Sequence, residues 1–219
     1  MNLWQPGKYQ TVPLTGRFYV TILDKNDARS IGIPRGKKMK ILFVNGSGSD
    51  SKINSYIKLA TESLCACGHS VKELVLRDMK YSPCRGCFNC WVKTPGTCVF
   101  KDDGDIICGE FITSDHVVLS SPIILGYPSA LAKNALDRVI PLIHPYLEDY
   151  GGEVHHMKRY KKYPVLSLLL EKMDDTDDED IEIIHDLFKR AALNIQSSLK
   201  FLKFTDSPVE EVVNAIITH

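Results

Sequence analysis

The sequence lacks an excess of charge of either sign, since 27 lysine and arginine residues balance 27 aspartate and glutamate residues. A neutral chain creates no broad basic field, so we expect neither nucleic acid nor an anionic membrane as a partner. Long apolar runs are also missing, and stretches such as 165–170 are far too short to span a bilayer. No secretory signal pattern is visible, which predicts a cytoplasmic protein.

Two common nucleotide-binding motifs are absent as well. A P-loop needs a lysine followed by serine or threonine, whereas Lys52 is followed by Ile53. The dinucleotide fingerprint G-x-G-x-x-G does not occur either. These absences argue against a P-loop NTPase and against a dinucleotide-binding fold of that type.

Cysteine, by contrast, is concentrated in one short segment. Cys84, Cys87, Cys90 and Cys98 follow the spacing C-x2-C-x2-C-x7-C. In a cytoplasmic protein such spacing favours metal or redox chemistry over disulfides. Zinc usually takes two well-separated C-x2-C pairs, and the ferredoxin run ends in C-x3-C-P, so neither pattern matches. A cluster, a zinc or dithiol site, and a cysteine-rich loop without metal all stay open.

From residue 39 onward, short apolar runs alternate with amphipathic stretches. This pattern predicts a parallel sheet whose strands are buried on both faces by helices. Five strands suit the flavodoxin-like three-layer α/β sandwich with strand order 2-1-3-4-5. We therefore expect an amino-terminal extension and linker over 1–38 and a single domain over 39–219. Strands are predicted at 40–44, 71–76, 116–120, 162–171 and 198–204, and helices at 53–67, 103–113, 129–140, 178–196 and from Ser207 onward, where Ser207 begins a capping box.

The loop after the first strand is rich in glycine and hydroxyl groups. Gly46 would let the backbone approach a ligand, and the helix that follows offers unpaired N–H groups and a positive dipole end. This arrangement favours the phosphate of a mononucleotide, with an ordinary polar turn as the alternative. The candidate donors are Ser47, Ser49, Asn54 and Ser55.

The loop after the third strand, predicted over 121–128, is unusually apolar. Side chains of this kind at a ligand-binding edge can flank a flat aromatic ring. Alternatively, its aliphatic residues pack inward beneath the loop. The residues concerned are Pro122, Ile123, Ile124, Leu125, Gly126 and Tyr127.

Together these motifs resemble a known group, the NADPH-dependent FMN reductase-like flavodoxin superfamily. The resemblance is carried by Gly46-Ser47, Asn54-Ser55, the cysteine run, Asp102-Asp103, and Ser121-Pro122 with the helix that contains Asp137-Arg138. The cysteine spacing is similar to that of the iron–sulfur flavoprotein branch.

The resemblance implies a bound FMN, with its phosphate at the four donors of the first loop and its ring against Pro122 through Tyr127. It also implies that Cys84, Cys87, Cys90 and Cys98 are candidate ligands of a [4Fe–4S] cluster. Two departures stand out. Gly48-Ser49 replaces the usual Pro-Arg, which removes a cation near the phosphate, and Glu171-Lys172-Met173-Asp174-Asp175 replaces a glycine-rich loop that many relatives have after the fourth strand.

We therefore predict an FMN-dependent oxidoreductase that passes reducing equivalents from NAD(P)H to an unidentified acceptor. No side chain is named as catalytic, since the flavin performs the chemistry. The resemblance also implies a homodimer or homotetramer. One alternative is an FMN/[4Fe–4S] electron-transfer protein without its own substrate, and another is a zinc-stabilised binding module on the same scaffold.

Other conspicuous residues are predicted to be structural. The acidic stretch 174–180 reads as a solvated turn before a helix, and His155-His156 as part of an exposed polar loop over 151–162. Cys65, Cys67 and Cys108 are predicted to be small core residues. Asp137 and Arg138 are predicted to be structural, and Trp91 to cover the flavin or a subunit contact.

Overall fold

A computed structural model describes residues 37–218 of the protein. The predicted extension over 1–38 therefore lies almost wholly outside the described residues. The strands are β1 (Lys40–Asn45), β2 (Ser70–Val75), β3 (His116–Ile124), β4 (Tyr127–Pro128), β5 (Ile143–Tyr150), β6 (Glu153–Lys158), β7 (Val165–Glu171) and β8 (Leu199–Phe204). The helices are α1 (Lys52–Ala66), α2 (Asn89–Val92), α3 (Gly104–Thr113), α4 (Ala130–Asp137), α5 (Asp178–Asn194) and α6 (Val209–Ile217), with 3₁₀ turns at Leu76–Asp78 and Ile140–Leu142.

Five strands of the main sheet pair in the order β2-β1-β3-β7-β8, all parallel. Counting only these strands, the order is 2-1-3-4-5, which confirms the predicted fold class. The parallel arrangement requires crossovers, and the helices between the strands supply them.

Alternation along β1 explains why both faces of the sheet are covered. Leu42 and Val44 pack in one core with side chains of α3, α4 and α5, whereas Ile41 and Phe43 pack in a second core with side chains of α1 and α6. All four side chains are almost fully buried. The result is the expected three-layer sandwich.

The apolar stretch predicted as a loop over 121–128 is instead a β-hairpin. β3 continues to Ile124, and Ile123 and Ile124 pair with Pro128 and Tyr127 of β4. The two turn residues, Leu125 and Gly126, both have positive φ angles of 49° and 69°. A two-residue turn of this kind matches the twist of the flanking strands, and the β-branched isoleucines extend the strand.

The prediction of a polar loop over 151–162 was wrong, because part of this segment belongs to a second β-hairpin. β5 and β6 pair antiparallel, and Gly151-Gly152 forms the turn between them. His155 is therefore not exposed: its ring is 3% accessible and hydrogen-bonds to Asn194 and Glu153, each at 3.0 Å. The glycine pair was the available hairpin signal.

Three smaller predictions were also wrong. The last helix begins at Val209, with Pro208 in the N-cap position, and no side chain caps it, so Ser207 does not form a capping box. Cys65 is exposed and Cys67 only half-buried. Cys65 lies off the buried stripe of α1, which follows Ile53, Ile57, Ala60 and Leu64.

The structure confirms other local readings. Asp177 and Asp180 form a capping box at the start of α5, as expected for acids that precede a helix. Cys108 is buried, and burial raises its pKa to about 12. Across the described residues, we find no helix with the length and apolar character that a membrane crossing requires.

Candidate functional site

The carboxyl ends of β1 and β3 meet at the middle of the sheet. The chain moves from β1 to β2 on one side and to β3 on the other, so the strand order reverses here. The Gly46 N–H donates to the Ser120 carbonyl at 2.8 Å, and the Ser129 hydroxyl donates to the Gly46 carbonyl at 2.6 Å. In open α/β sheets ligands bind at such a reversal point. The two predicted binding segments are therefore neighbours.

Asparagine side chains fix the loop after β1. The amide of Asn54 donates to the carbonyl oxygens of Gly48, Ser49 and Ser51 at 2.8 to 3.1 Å. The Ser47 hydroxyl is buried and donates to Asn45 Oδ1 at 2.7 Å. A loop held in this way is preorganised, and its shape does not depend on a ligand.

The four predicted phosphate donors all lie in this loop or the first turn of α1, and each is already used within the chain. Besides the contacts of Ser47 and Asn54, the Ser49 hydroxyl donates to Asp50 at 3.0 Å, and the Ser55 hydroxyl to the Lys52 carbonyl at 2.9 Å. Their role in binding a phosphate stays a prediction. The backbone N–H groups of residues 48–51, in contrast, have no acceptor within the part of the chain that the structure describes.

A cation that the sequence reasoning missed lies beside this loop. Arg77, just after β2, donates from one guanidinium nitrogen to Asn54 Oδ1 at 3.1 Å and to the Ser47 carbonyl at 3.3 Å. It stands near the place where Gly48-Ser49 lacks the usual arginine. The position of Arg77 in the sequence could have indicated this contact. Because β2 pairs in parallel with β1, the carboxyl ends of both strands lie at the same edge of the sheet.

An anion also reaches the loop, again unpredicted. Glu171 ends β7, and its carboxylate accepts hydrogen bonds from the Ser51 hydroxyl and, at 3.4 Å, from the Lys52 N–H. Ser51 is the N-cap of α1, and its hydroxyl accepts from the Ile53 N–H at 3.1 Å. A carboxylate is stabilised at this end of a helix.

The β3–β4 hairpin divides its predicted ring-binding residues into two groups. Ile123 packs in the core at 1% exposure, as the inward reading proposed, whereas Ile124 and Leu125 are 51% and 88% exposed. Pro122 and Tyr127 are half-buried. A side chain at Gly126 would come within 2.4 Å of Asp180 on α5, so this glycine is needed for close packing as well as for its positive φ.

The four cysteines of the C-x2-C-x2-C-x7-C run line one cavity of about 270 Å³. Arg85, Phe100, Arg138 and Pro141 are among the other residues that line it. Cys84 and Cys87 are exposed, Cys98 is half-buried and Cys90 is buried. Burial, followed by the nearby thiols, raises the pKa of Cys90.

The described residues contain no group of three or more His, Cys, Asp or Glu side chains arranged to hold one metal ion. The four thiols nevertheless share a cavity. A cubane cluster spaces its ligands more widely than zinc, because each thiolate binds a different iron atom. The role of the four cysteines as ligands of a cluster stays a prediction.

A buried ion pair closes the cysteine segment at its base. Arg138, 2% exposed, donates to both carboxylate oxygens of Asp102 at 2.7 and 2.9 Å and to the Ser82 carbonyl at 2.6 Å. The hydrogen bond from Arg138 is the main cause that lowers the pKa of Asp102 to about 2. The prediction that Arg138 is structural is therefore supported by its contacts.

Trp91 joins the cysteine segment to the β5–β6 hairpin. Its indole N–H donates to the Ile143 carbonyl at 3.0 Å, and its ring lies 5.4 Å from Phe88 and 5.2 Å from His156, centroid to centroid. These contacts give it a structural role within the chain. Its predicted contact with a flavin or a second subunit stays a prediction.

The fold and this edge define the class of protein: a flavodoxin-like α/β protein with a candidate cofactor site at the strand-order reversal. The NADPH-dependent FMN reductase family matches residues 39–158, and the chain belongs to that family. This confirms the resemblance drawn from the motifs.

Curated relatives of the chain are named iron-sulfur flavoproteins. The chain is 28% identical over 100 residues to one from Archaeoglobus fulgidus, covering 46% of this chain and 48% of the relative. It is 30% identical over 105 residues to one from Methanocaldococcus jannaschii, covering 48% and 53%. The chain thus spans about half the length of the curated relatives it matches.

The fold also resembles that of a solved structure, an FMN-dependent NADH-azoreductase from Bacillus anthracis in complex with FMN. The TM-score is 0.58 at 12% identity, covering 82% of this chain and all of that one. At this identity the similarity concerns the fold alone.

Proposed function

We propose that this protein binds FMN at the edge where β1 and β3 end, and passes reducing equivalents from NAD(P)H to an acceptor. The observation that carries the proposal is the junction of two loops by the Gly46–Ser120 and Ser129–Gly46 hydrogen bonds. One loop offers N–H groups for a phosphate, and the other offers exposed apolar side chains for a ring. Membership of the FMN reductase family and the FMN-bound azoreductase with the same fold support it.

The residues present fit such a cofactor. Within the described residues the N–H groups of 48–51 have no acceptor, so they can donate to phosphate oxygens. The space beside the loop is open, since a side chain added at Gly48 would meet nothing within 4 Å. Arg77 supplies a cation at the same loop. Bound FMN would supply hydride acceptance from a nicotinamide, while Ile124 and Leu125 would shield the ring from water.

A second candidate function is electron transfer through a [4Fe–4S] cluster beside the flavin. The cavity shared by Cys84, Cys87, Cys90 and Cys98 favours it. The cavity includes Arg138 at the end of α4, whereas Ser129 at the start of α4 contacts the phosphate loop. Eight helical residues separate the two sites by roughly 12 Å. The zinc alternative lacks an arrangement of ligands for a single ion among the described residues.

The β5–β6 hairpin supports the proposal of a homodimer or homotetramer. Tyr146, Leu147 and Val154 are 66%, 58% and 68% exposed on it. Apolar side chains grouped on one hairpin are typical of a subunit contact. Light scattering of the purified protein would test this directly.

The spectrum of the anaerobically purified protein tests the cofactor assignment. We expect flavin bands, and in addition the broad absorption of an iron–sulfur cluster that Cys90→Ser removes. Cys65→Ser is the matched control, because Cys65 is an exposed thiol outside the cavity. A cluster band that survives Cys90→Ser would contradict the ligand assignment, and a protein that never takes up flavin would contradict the FMN site.

A further inference from the structure

We propose that Glu171 is a specificity-determining residue that competes with the flavin phosphate for the amino terminus of α1. This inference rests on the proposed FMN site. Glu171 lies opposite Pro122 in the β3–β7 register, so its side chain emerges at the ligand-binding edge of the sheet. Its carboxylate accepts from the Ser51 hydroxyl and from the Lys52 N–H.

These contacts complete the hydrogen bonding of the first turn of α1. The Ile53 N–H donates to the Ser51 hydroxyl at 3.1 Å, and the Asn54 N–H to the Ser51 carbonyl at 3.3 Å. Lys52 donates to Glu171. An anion from outside therefore either displaces the carboxylate or binds on the N–H groups of 48–51 immediately beside it.

Both positions are energetically unfavourable for the phosphate. Displacement breaks charge-assisted hydrogen bonds, and adjacent binding places two anions close together. Lys172, the next residue, does not neutralise the carboxylate, since its ammonium lies 4.2 Å from the centre of the Phe204 ring. Arg77 is a cation at the loop, and its side-chain contacts are with Ser47, Asn54 and Asp78.

A second observation is an unpaired polar group on the same face of the sheet as Glu171. The Ser120 hydroxyl is buried and has no hydrogen-bond partner among residues 37–218. Val118 and Leu169 pack on the α1 side of the sheet. Residues two positions apart on a strand point to the same face, and Ser120 and Glu171 each lie two positions after one of these residues. Ser120 and Glu171 therefore share that face. An unpaired buried hydroxyl is unfavourable, so an acceptor supplied by a ligand would be stabilised there.

The test compares FMN with riboflavin, which has the same ring and no phosphate. Dissociation constants are measured by quenching of flavin fluorescence on wild type, Glu171→Gln and Glu171→Ala. We expect FMN to bind roughly ten- to a hundredfold more tightly to both variants, as expected for loss of a charged competitor. Riboflavin binding should change less than twofold. Glu182→Gln on α5 is the charge-matched control, and it should leave both ligands unaffected.

Glutamine keeps an acceptor for Ser51 and Lys52, so Glu171→Gln removes the charge without leaving the helix terminus unpaired. An FMN affinity that is unchanged or weaker in both variants would overturn the role of Glu171. Equal tightening of FMN and riboflavin would also overturn it, because the effect would not involve the phosphate. If no flavin binds to any of the proteins, the proposed FMN site itself is wrong.

Discussion

The buried Asp102–Arg138 pair makes the sharpest stability prediction. Arg138 is 2% exposed and Asp102 18%, and the carboxylate also accepts from the N–H groups of Ser82 and Gly104. Asp102→Ala would leave a guanidinium buried without its counter-ion. Breaking a buried pair in this way costs about 3–5 kcal/mol of unfolding free energy.

The pKa of Asp102 gives a second, smaller figure for the same pair. A value of about 2, against 3.8 for an ordinary carboxyl, corresponds to about 2 kcal/mol at neutral pH. That figure measures protonation of a carboxylate that stays in place, whereas the substitution also removes its hydrogen bonds. Because the folded-state pKa lies below the unfolded one, this stability is present above pH 4 and is lost as the pH falls toward 2.

Urea unfolding at pH 7, followed by circular dichroism, measures the effect. Asp137→Ala is the control: its pair with Lys133 is on α4 but half-exposed, so the loss should be below about 1 kcal/mol. Arg138→Met combined with Asp102→Ala should recover part of the loss, since no unpaired charge remains. A loss below 1 kcal/mol for Asp102→Ala would refute the reasoning.

Further predictions concern the core, a helix packing contact and the phosphate loop. Burial is the main cause that lowers the pKa of His116 to about 4, so the free energy of unfolding should fall by roughly 3 kcal/mol as the pH drops from 6.5 to 4, because the unfolded state binds the proton first. The melting temperature of His116→Gln should therefore change less than that of wild type between pH 6.5 and 4. Equal changes in the two proteins would contradict this. Gly104→Ala should cost about 1–3 kcal/mol in urea unfolding, because its Cβ would lie 2.2 Å from a buried guanidinium, whereas Gly109→Ala on the same helix meets nothing and should be neutral or stabilising. Equal effects would refute the packing argument. Asn54→Ala removes the amide that holds three loop carbonyls and should weaken FMN binding roughly tenfold in fluorescence titrations, whereas Ser63→Ala, which loses one hydrogen bond within α1, should not. An unchanged affinity in Asn54→Ala would show that the loop needs no such support.

Local patterns in the sequence were sufficient to predict the parallel sheet. The three central strands β1, β3 and β7 are short apolar runs, as expected for strands that are buried on both faces, whereas the edge strands β2 and β8 include exposed polar residues. The order of motifs then placed the loops after β1 and β3 at one edge. Hairpins were harder to predict, because β5–β6 is polar along much of its length and its Gly151-Gly152 turn was read as a loop.

Contacts between distant residues could not be predicted from local patterns. Arg77 reaches a loop 30 residues earlier, Glu171 a helix terminus 120 residues earlier, and Arg138 a carboxylate 36 residues earlier. Each pair depends on strand order and register, which bring chain segments together only in the folded state. The charges that decide how an anion binds at this edge were therefore visible only in the structure.

The central claim is that the edge formed by β1 and β3 holds a flavin that a nicotinamide nucleotide reduces. The most direct measurement is the anaerobic visible spectrum of the protein after incubation with FMN and removal of unbound flavin, followed by stepwise addition of NADPH. The account predicts retained flavin absorption that bleaches as NADPH is added. A spectrum with protein absorption alone, or retained flavin that neither NADPH nor NADH bleaches, would contradict it.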